Sequence, residues 1–107
     1  MTVVKINAIE VPDGAGPELE RRFAARHGSV ESAPGFLGFE LLRPVAGDHR
    51  YFVYTRWESE DAYRSWRDSS AFTRGHAQAA RDRGESPVAQ GSSLLEYEVV
   101  QEVAKSR

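Results

Sequence analysis

The stretch VVKINAIEV at residues 3–11 determines which fold the sequence predicts. Successive side chains of an extended chain point to opposite faces. One face of this stretch carries Val4, Ile6 and Ala8. The other face carries Val3, Lys5, Asn7, Ile9 and Val11. Because both faces hold apolar side chains, the stretch is predicted to be a strand that is covered on both sides.

Working outward from this strand, hydrophobic spacing and capping residues predict the remaining elements. These are a helix from Pro17 to about Ser32, strands Phe36–Arg43 and Arg50–Trp57, a short helix capped by Ser59, a second helix after Asp68 to Ser70 that ends at about Arg81, and a strand Leu94–Val103. Strand, helix, strand, strand, helix, strand is the order of an α+β, ferredoxin-like βαββαβ fold with an antiparallel sheet. The helices cover one face of such a sheet. A second copy of the chain is the economical cover for the other apolar face.

Composition limits the function. The 107 residues include 14 basic and 16 acidic side chains, whereas nucleic-acid binding requires concentrated positive charge. The absence of cysteine excludes disulfides, thiolate catalysis and cysteine-ligated metals. No apolar run reaches membrane-spanning length, and no secretory leader pattern is present. We therefore expect one domain over residues 1–107, in the cytoplasm, without a nucleic-acid or membrane partner.

His76 is the first candidate for chemistry. It follows Phe72 by four residues, so the two side chains share a helix face that is expected to face the sheet. Gly75 weakens the helix by about 1 kcal/mol relative to alanine, but its missing side chain would let a flat ligand approach. A packed core histidine is the commoner explanation of the same pattern. Three scattered histidines do not have the spacing of a zinc site.

Asn7 and Trp66 are the next candidates. Asn7 interrupts an apolar strand, and burying its amide without partners costs about 1–3 kcal/mol. A satisfied buried amide and a ligand-binding amide explain it equally well. Trp66 has helical spacing, and a tryptophan in that setting usually packs in the core.

Arg22 and Arg26 form a pair of cations four residues apart on the first helix. Leu19, Phe23 and Val30 define the buried stripe of this helix, and Arg26 falls inside it. An ordinary solvated face and a clamp for a carboxylated ligand both remain open. The position of Arg26 within an apolar stripe favours the clamp, because such local inconsistencies concentrate at functional sites.

Taken together, these residues resemble a known family. The chain is similar to the IsdG-type heme-degrading monooxygenases of the antibiotic biosynthesis monooxygenase (ABM) superfamily, and especially to their mycobacterial branch. The likeness runs through VVKINAIEVP, GAGPELERRFAAR, PGFLGFELLRPV, YFVYTRWES and SLLEYEVV. The trio of Asn7, Trp66 and His76 carries most of its specificity. The segment from Arg67 to Arg83, with Gly75, departs from the family most.

The resemblance implies a reaction and a set of roles. Heme would be both substrate and cofactor, cleaved with dioxygen and electrons from an external donor, and iron would be released. His76 would bind the heme iron, Asn7 would hydrogen-bond the oxygen that attacks the ring, and Trp66 would press on the porphyrin and ruffle it. The residues implied to contact heme are Arg22, Phe23, Arg26, Trp66 and His76.

The resemblance also implies an assembly and leaves alternatives. Two ferredoxin-like subunits would join their sheets into a dimeric α+β barrel, and a reductase would serve as a possible electron donor. A heme-binding or heme-buffering protein without turnover is one alternative. A cofactor-free monooxygenase acting on a quinol or phenol, as elsewhere in the superfamily, is the other.

Overall fold

The computed structural model describes residues 1–25, 30–69 and 91–105. Its elements are β1 (Val3–Glu10), α1 (Gly16–Ala25), β2 (Phe36–Leu42), β3 (Tyr51–Trp57), α2 (Glu60–Arg67) and β4 (Gly91–Glu98). The strands form an antiparallel sheet in the order β2-β3-β1-β4. This architecture confirms the predicted α+β, ferredoxin-like fold. None of the helices in these ranges is long and apolar enough to cross a membrane.

Strand β1 occupies the interior of the sheet, as its two apolar faces predicted. It pairs with β3 along one edge and with β4 along the other. Side chains on both of its faces are buried; Val3 is 3% exposed and Ala8 only 1%. The centre of the core is therefore the strand with which the chain begins.

The helix-facing side of the sheet holds two separate apolar clusters. The α2 cluster consists of Val3, Trp57 and Tyr63, with Val30, Ala33, Phe36, Ala62 and Trp66 packed against them. The α1 cluster consists of Leu19 and Tyr51, with Val11, Ala15, Phe23 and Leu41 packed against them. Each helix thus covers one end of the sheet, and the middle of the sheet lies between them.

Helix α2 begins where the sequence predicted. The Ser59 hydroxyl accepts a hydrogen bond from the backbone N–H of Ala62 at 3.1 Å, and the backbone of Ser59 is extended, as is typical of an N-cap. Glu60 and Asp61 in the first turn and Arg67 in the last turn complement the helix dipole.

Two predicted elements have wrong boundaries: the first helix ends before Ser32, and the last strand both begins before Leu94 and ends before Val103. Residues 30–32 are not helical, because a turn closes there instead, with the N–H of Ala33 donating to the carbonyl of Val30. Pro34 disfavours a helical conformation at the preceding residue, and Val30 packs into the α2 cluster. The last strand spans Gly91–Glu98 rather than extending to Val103, because its partner β1 begins at Val3, opposite Glu98. The predicted helix after Ser70, with Phe72, lies outside the described residues.

The turn before β2 requires glycine at residue 35. The φ angle of Gly35 is +81°, and a Cβ there would lie 2.5 Å from the Cβ of Ala62 and 2.9 Å from the Cγ of Glu58. The carbonyl of Gly35 accepts a hydrogen bond from the N–H of Glu58 at 2.8 Å. Gly35 therefore docks this turn directly onto the beginning of α2.

We predict that Gly35→Ala lowers the free energy of unfolding by about 2–4 kcal/mol, because backbone strain at positive φ adds to overpacking against α2. Gly47→Ala is the matched control: its φ is +86°, but nothing lies within 4 Å of the added Cβ. That variant should lose only about 1 kcal/mol. Urea unfolding measures both, and equal losses would contradict the proposed contact between the turn and α2.

Candidate active site

The middle of the helix-facing side of the sheet carries a row of four side chains, one from each strand. Asn7 lies opposite Val53 and opposite Leu94, and Val53 in turn lies opposite Leu41. We call these four residues the central row. Three of them are half-buried and Leu94 is 53% exposed. The row forms a mostly apolar floor between the α1 and α2 clusters.

Asn7 is the polar member of this floor. Among the described residues its amide makes no hydrogen bond, and the amide atoms are not sealed from solvent. An asparagine amide offers two donor hydrogens and an acceptor oxygen. A ligand lying on the central row could form hydrogen bonds with the Asn7 amide on its sheet-facing side. The surrounding apolar side chains would strengthen those hydrogen bonds.

Trp66, on α2, is a member of the α2 cluster. Its ring is half-buried, with its centroid 5.4 Å from that of Trp57 and 6.4 Å from that of Tyr63. Trp57 itself is fully buried. Trp66 therefore belongs partly to the α2 cluster, as an ordinary core tryptophan would, but keeps surface available for a ligand.

Phe23 and Phe39 form an aromatic pair at the β2 end of the central row, next to Leu41. Their ring centroids are 6.3 Å apart and their planes differ by 24°, which is a stacked arrangement. Phe23 comes from α1, while Phe39 comes from β2 and remains 42% exposed. The sequence predicted Phe23 but missed Phe39, whose place beside the floor depends on a register shift in β2 between Phe36 and Gly38.

Arg22 projects from the same helix and is largely buried, with 11% of its side chain exposed. Its Nε donates to Glu18 at 2.9 Å, and Arg21 also donates to Glu18. These hydrogen bonds, Arg21 first, lower the pKa of Glu18 to about 2. The Arg22 guanidinium therefore lies against the surface of α1 and is paired with Glu18, one helical turn earlier.

A second carboxylate, that of Glu20, connects helix α1 to the sheet. The Tyr51 hydroxyl donates to Glu20 at 2.6 Å, and the Nε of Arg43 donates to the same carboxylate at 2.8 Å. The hydrogen bonds from Arg43 and Tyr51 lower the pKa of Glu20 to about 2. The Tyr51 ring reaches α1 because Gly16 has no side chain in its way.

Lys5 is a feature that the sequence analysis did not single out. It is 4% exposed, and its ammonium donates to Glu60 at 2.7 Å and to Glu96 at 2.6 Å. Burial lowers the pKa of Lys5, but the two hydrogen bonds and the charges of the carboxylates outweigh it, so the pKa is raised overall. A lysine at a core-facing position of an apolar strand is the signal that could have identified it.

Two predicted site residues, His76 and Arg26, lie outside the described residues, as does His27. Their roles stay predictions. The side chain of His49 is 74% exposed, and its Nε2 lies 3.3 Å from a carboxylate oxygen of Glu10. In the described ranges no group of three His, Cys, Asp or Glu side chains could hold a metal ion.

A depression of about 460 Å³ lies on the other side of α2, against the turn at residues 32–34. Trp66 borders it, but Asn7 does not. Serine and carboxylate side chains contribute to its lining, but most of the lining surface is apolar. None of the residues of the central row borders it, so the two surfaces are separate.

Comparison with known proteins identifies the family. Residues 2–78 match the antibiotic biosynthesis monooxygenase family, ABM. The chain belongs to this family. The matched segment contains Asn7, Trp66 and His76, and it includes every described element except β4.

Two relatives that match nearly the whole chain are heme-degrading enzymes. A mycobilin-producing heme oxygenase of Mycobacterium tuberculosis is 58% identical over 96% of this chain and 93% of its own length. A heme-degrading monooxygenase of Listeria monocytogenes is 30% identical over 92% of this chain and 91% of its own. The solved structure of the Mycobacterium tuberculosis heme-degrader MhuD, with two hemes in its active site, is 57% identical over 95% of this chain and 99% of that one, with a TM-score of 0.77.

The anchor between α1 and the sheet predicts a dependence of stability on pH. Because the pKa of folded Glu20 lies below its ordinary value of 4.5, its ionised form stabilises the fold above that pH, and the contribution is lost as pH falls toward 2. We expect Glu20→Gln to unfold with a shallower pH dependence than the unmodified protein between pH 4.5 and 2. Glu40→Gln, at an exposed carboxylate of β2, is the control. Parallel curves for the Glu20 variant and the unmodified protein would contradict the anchor.

Proposed function

We propose that this protein is a heme-degrading monooxygenase, which binds heme on the central row and opens the porphyrin with dioxygen and electrons. The observation that carries the proposal is the 58% identity, over 96% of the chain, to a mycobilin-producing heme oxygenase. The relative from Listeria monocytogenes, with the same type of activity at 30% identity, supports it.

The described surface has the chemistry that heme requires. A porphyrin is a flat and largely apolar macrocycle with carboxylates along one edge. Val53, Leu94 and Leu41 supply an apolar floor, and the stacked Phe23–Phe39 pair supplies an aromatic border. Large apolar and aromatic surfaces with a few placed polar groups are typical of cofactor sites.

His76 is proposed as the ligand of the heme iron. A neutral imidazole offers a nitrogen lone pair to the metal, and an acceptor on its other nitrogen would orient the ring. Bound heme would supply the iron centre at which dioxygen is activated. The protein's contribution is then to place that centre, exclude water around it and direct the attack.

Asn7 and Trp66 are proposed to direct the attack. Asn7 would donate a hydrogen bond from the floor to dioxygen, holding it toward one edge of the substrate. Trp66 would press on the macrocycle from the side of α2, supported from behind by Trp57 at 5.4 Å. Because Trp57 is fully buried, pressure on Trp66 would distort the bound ring rather than displace the helix.

Arg22, Phe23 and Arg26 are proposed to hold the edge of heme nearest α1. Arginine suits carboxylates because its planar guanidinium forms paired hydrogen bonds with them. A propionate would share the Arg22 guanidinium with Glu18, which lies 2.9 Å from its Nε. The proposal also includes an external electron donor, such as a reductase, and a cytoplasmic location.

The deciding experiment is a titration with hemin followed by reduction in air. We expect a shifted Soret band on binding, then progressive loss of that band with release of iron, unaffected by catalase. His76→Ala should abolish the shifted band, whereas His49→Ala, at a histidine that is 74% exposed, should retain it. Trp66→Ala and Asn7→Ala should slow degradation more than they weaken binding.

Each alternative gives a different result in the same experiment. A shifted Soret band that is stable under reductant and oxygen would indicate heme storage. No specific shift would exclude both heme functions and favour a cofactor-free oxygenase. Equal turnover by Trp66→Ala and the unmodified protein would contradict the role given to that ring.

We also propose a homodimer that joins the sheet faces opposite the helices. Apolar side chains are exposed on that face, with Tyr97 at 57% and Leu42 at 40%. The Nε atom of Arg56, on the same face, is buried and finds no hydrogen-bond partner in the described part of the chain. A second copy would cover the apolar surface and could satisfy that donor, closing an α+β barrel.

Light scattering after size exclusion tests the dimer. Tyr97→Glu should shift the protein toward a monomer, because a carboxylate would be buried within the contact. Val45→Glu, at the β2–β3 turn where Val45 is 92% exposed, should leave the mass unchanged. A monomeric unmodified protein, or the same mass for both variants, would contradict the proposal.

A further inference from the structure

Within the described part of the chain, Lys5 is the one charged residue that is buried. It lies on the helix-facing side of β1, between Val3 of the α2 cluster and Asn7 of the central row. Asn7 is two residues away on the same face, about 7 Å along an extended chain. The lysine therefore lies at the boundary between the core and the proposed heme site.

The ammonium of Lys5 connects three elements. It lies 2.7 Å from an oxygen of Glu60 in the first turn of α2 and 2.6 Å from an oxygen of Glu96 in β4. It also lies 4.7 Å from the centre of the Tyr63 ring, within the range of a cation–π contact. Helix α2 is thus held to β1 and β4 through its first turn, and Glu60 lies six residues before Trp66 on the same helix.

The backbone of Lys5 fixes the support of Trp66 as well. Thr55, opposite Lys5 on β3, donates from its hydroxyl to the Lys5 carbonyl at 3.1 Å. The same hydroxyl accepts a hydrogen bond from the indole N–H of Trp57 at 3.1 Å. One strand position therefore orients both α2 and the indole on which Trp66 rests.

The ion pairs contribute geometry more than stability. The side chains of Glu60 and Glu96 are 37% and 52% exposed, so both carboxylates stay hydrated if the lysine is removed. Buried ion pairs can often be replaced by apolar side chains without loss of stability, and their retention is explained in some proteins by structural specificity. Methionine has a similar length and packs well against aromatic rings.

We propose that Lys5 is a positioning residue, which fixes α2 on the sheet and so sets the orientation of Trp66, the ring proposed to press on the bound macrocycle. Its effect on heme turnover rests on the proposed function, but its effect on the aromatic cluster does not. A first measurement therefore uses the protein without heme, and a second uses it with heme.

In the heme-free protein, we expect Lys5→Met to change the near-ultraviolet circular dichroism of the Trp57, Tyr63 and Trp66 rings while leaving the urea midpoint unchanged. Lys5→Arg should restore the spectrum, because its cation can reach both carboxylates. Arg64→Met is the matched control: it removes another cation from Glu60, at 3.1 Å but with a 61% exposed side chain. That variant should keep the unmodified spectrum.

In the heme-loaded protein, we expect Lys5→Met to slow turnover by about tenfold, with hemin affinity much less affected, because misplacement of a contact affects the reaction more than binding. Arg64→Met should turn over normally. If the unmodified protein does not bind or degrade hemin, the proposed function fails, while the heme-free spectra still decide the role of Lys5.

Two results would overturn the positioning role. One is an unchanged spectrum of Lys5→Met; the other is a fall in its urea midpoint that parallels its spectral change, which would indicate a purely structural residue. If Lys5→Met does not fold, Glu60→Gln replaces it, because that partly exposed carboxylate can lose its charge without leaving a buried void. It should move the same spectral bands, and an unchanged spectrum would contradict the proposal.

Discussion

The packing of α2 on the buried indole of Trp57 is the contact on which the rest of the site depends. Phe36, Tyr63 and Trp66 all meet this ring, at centroid distances between 5.4 and 5.7 Å. The three come from β2 and α2, while Trp57 ends β3. Because the interior of a protein is close-packed, fixing this ring fixes the elements around it.

The site arises because the two helices pack on separate clusters. Of the four residues of the central row, Leu41 packs against the α1 cluster, while Asn7, Val53 and Leu94 belong to neither cluster. Asn7 can therefore be polar without interrupting the packing of either helix. Function is thus placed where the fold tolerates an exception to the apolar pattern.

Features that depend on neighbouring residues in the chain were predictable, and features that depend on distant partners were not. The two-sided burial of β1 and the Ser59 cap of α2 follow from local pattern and local hydrogen bonding. The end of β4 depends on where β1 begins, and the importance of Lys5 depends on Glu60 and Glu96, far along the chain. The roles of Asn7, Trp66 and His76 came from family resemblance, because their spacing alone also fits an ordinary core.

The pairing of β1 with β4 has a consequence for folding during synthesis on the ribosome. Val3 pairs with Glu98, so β1 receives one of its two partners only after α1, β2, β3 and α2 have been synthesised. Until then an apolar strand keeps an open edge, and open edges recruit other chains. Production of this protein should therefore be sensitive to translation rate and to chaperone supply, even where the finished fold is stable.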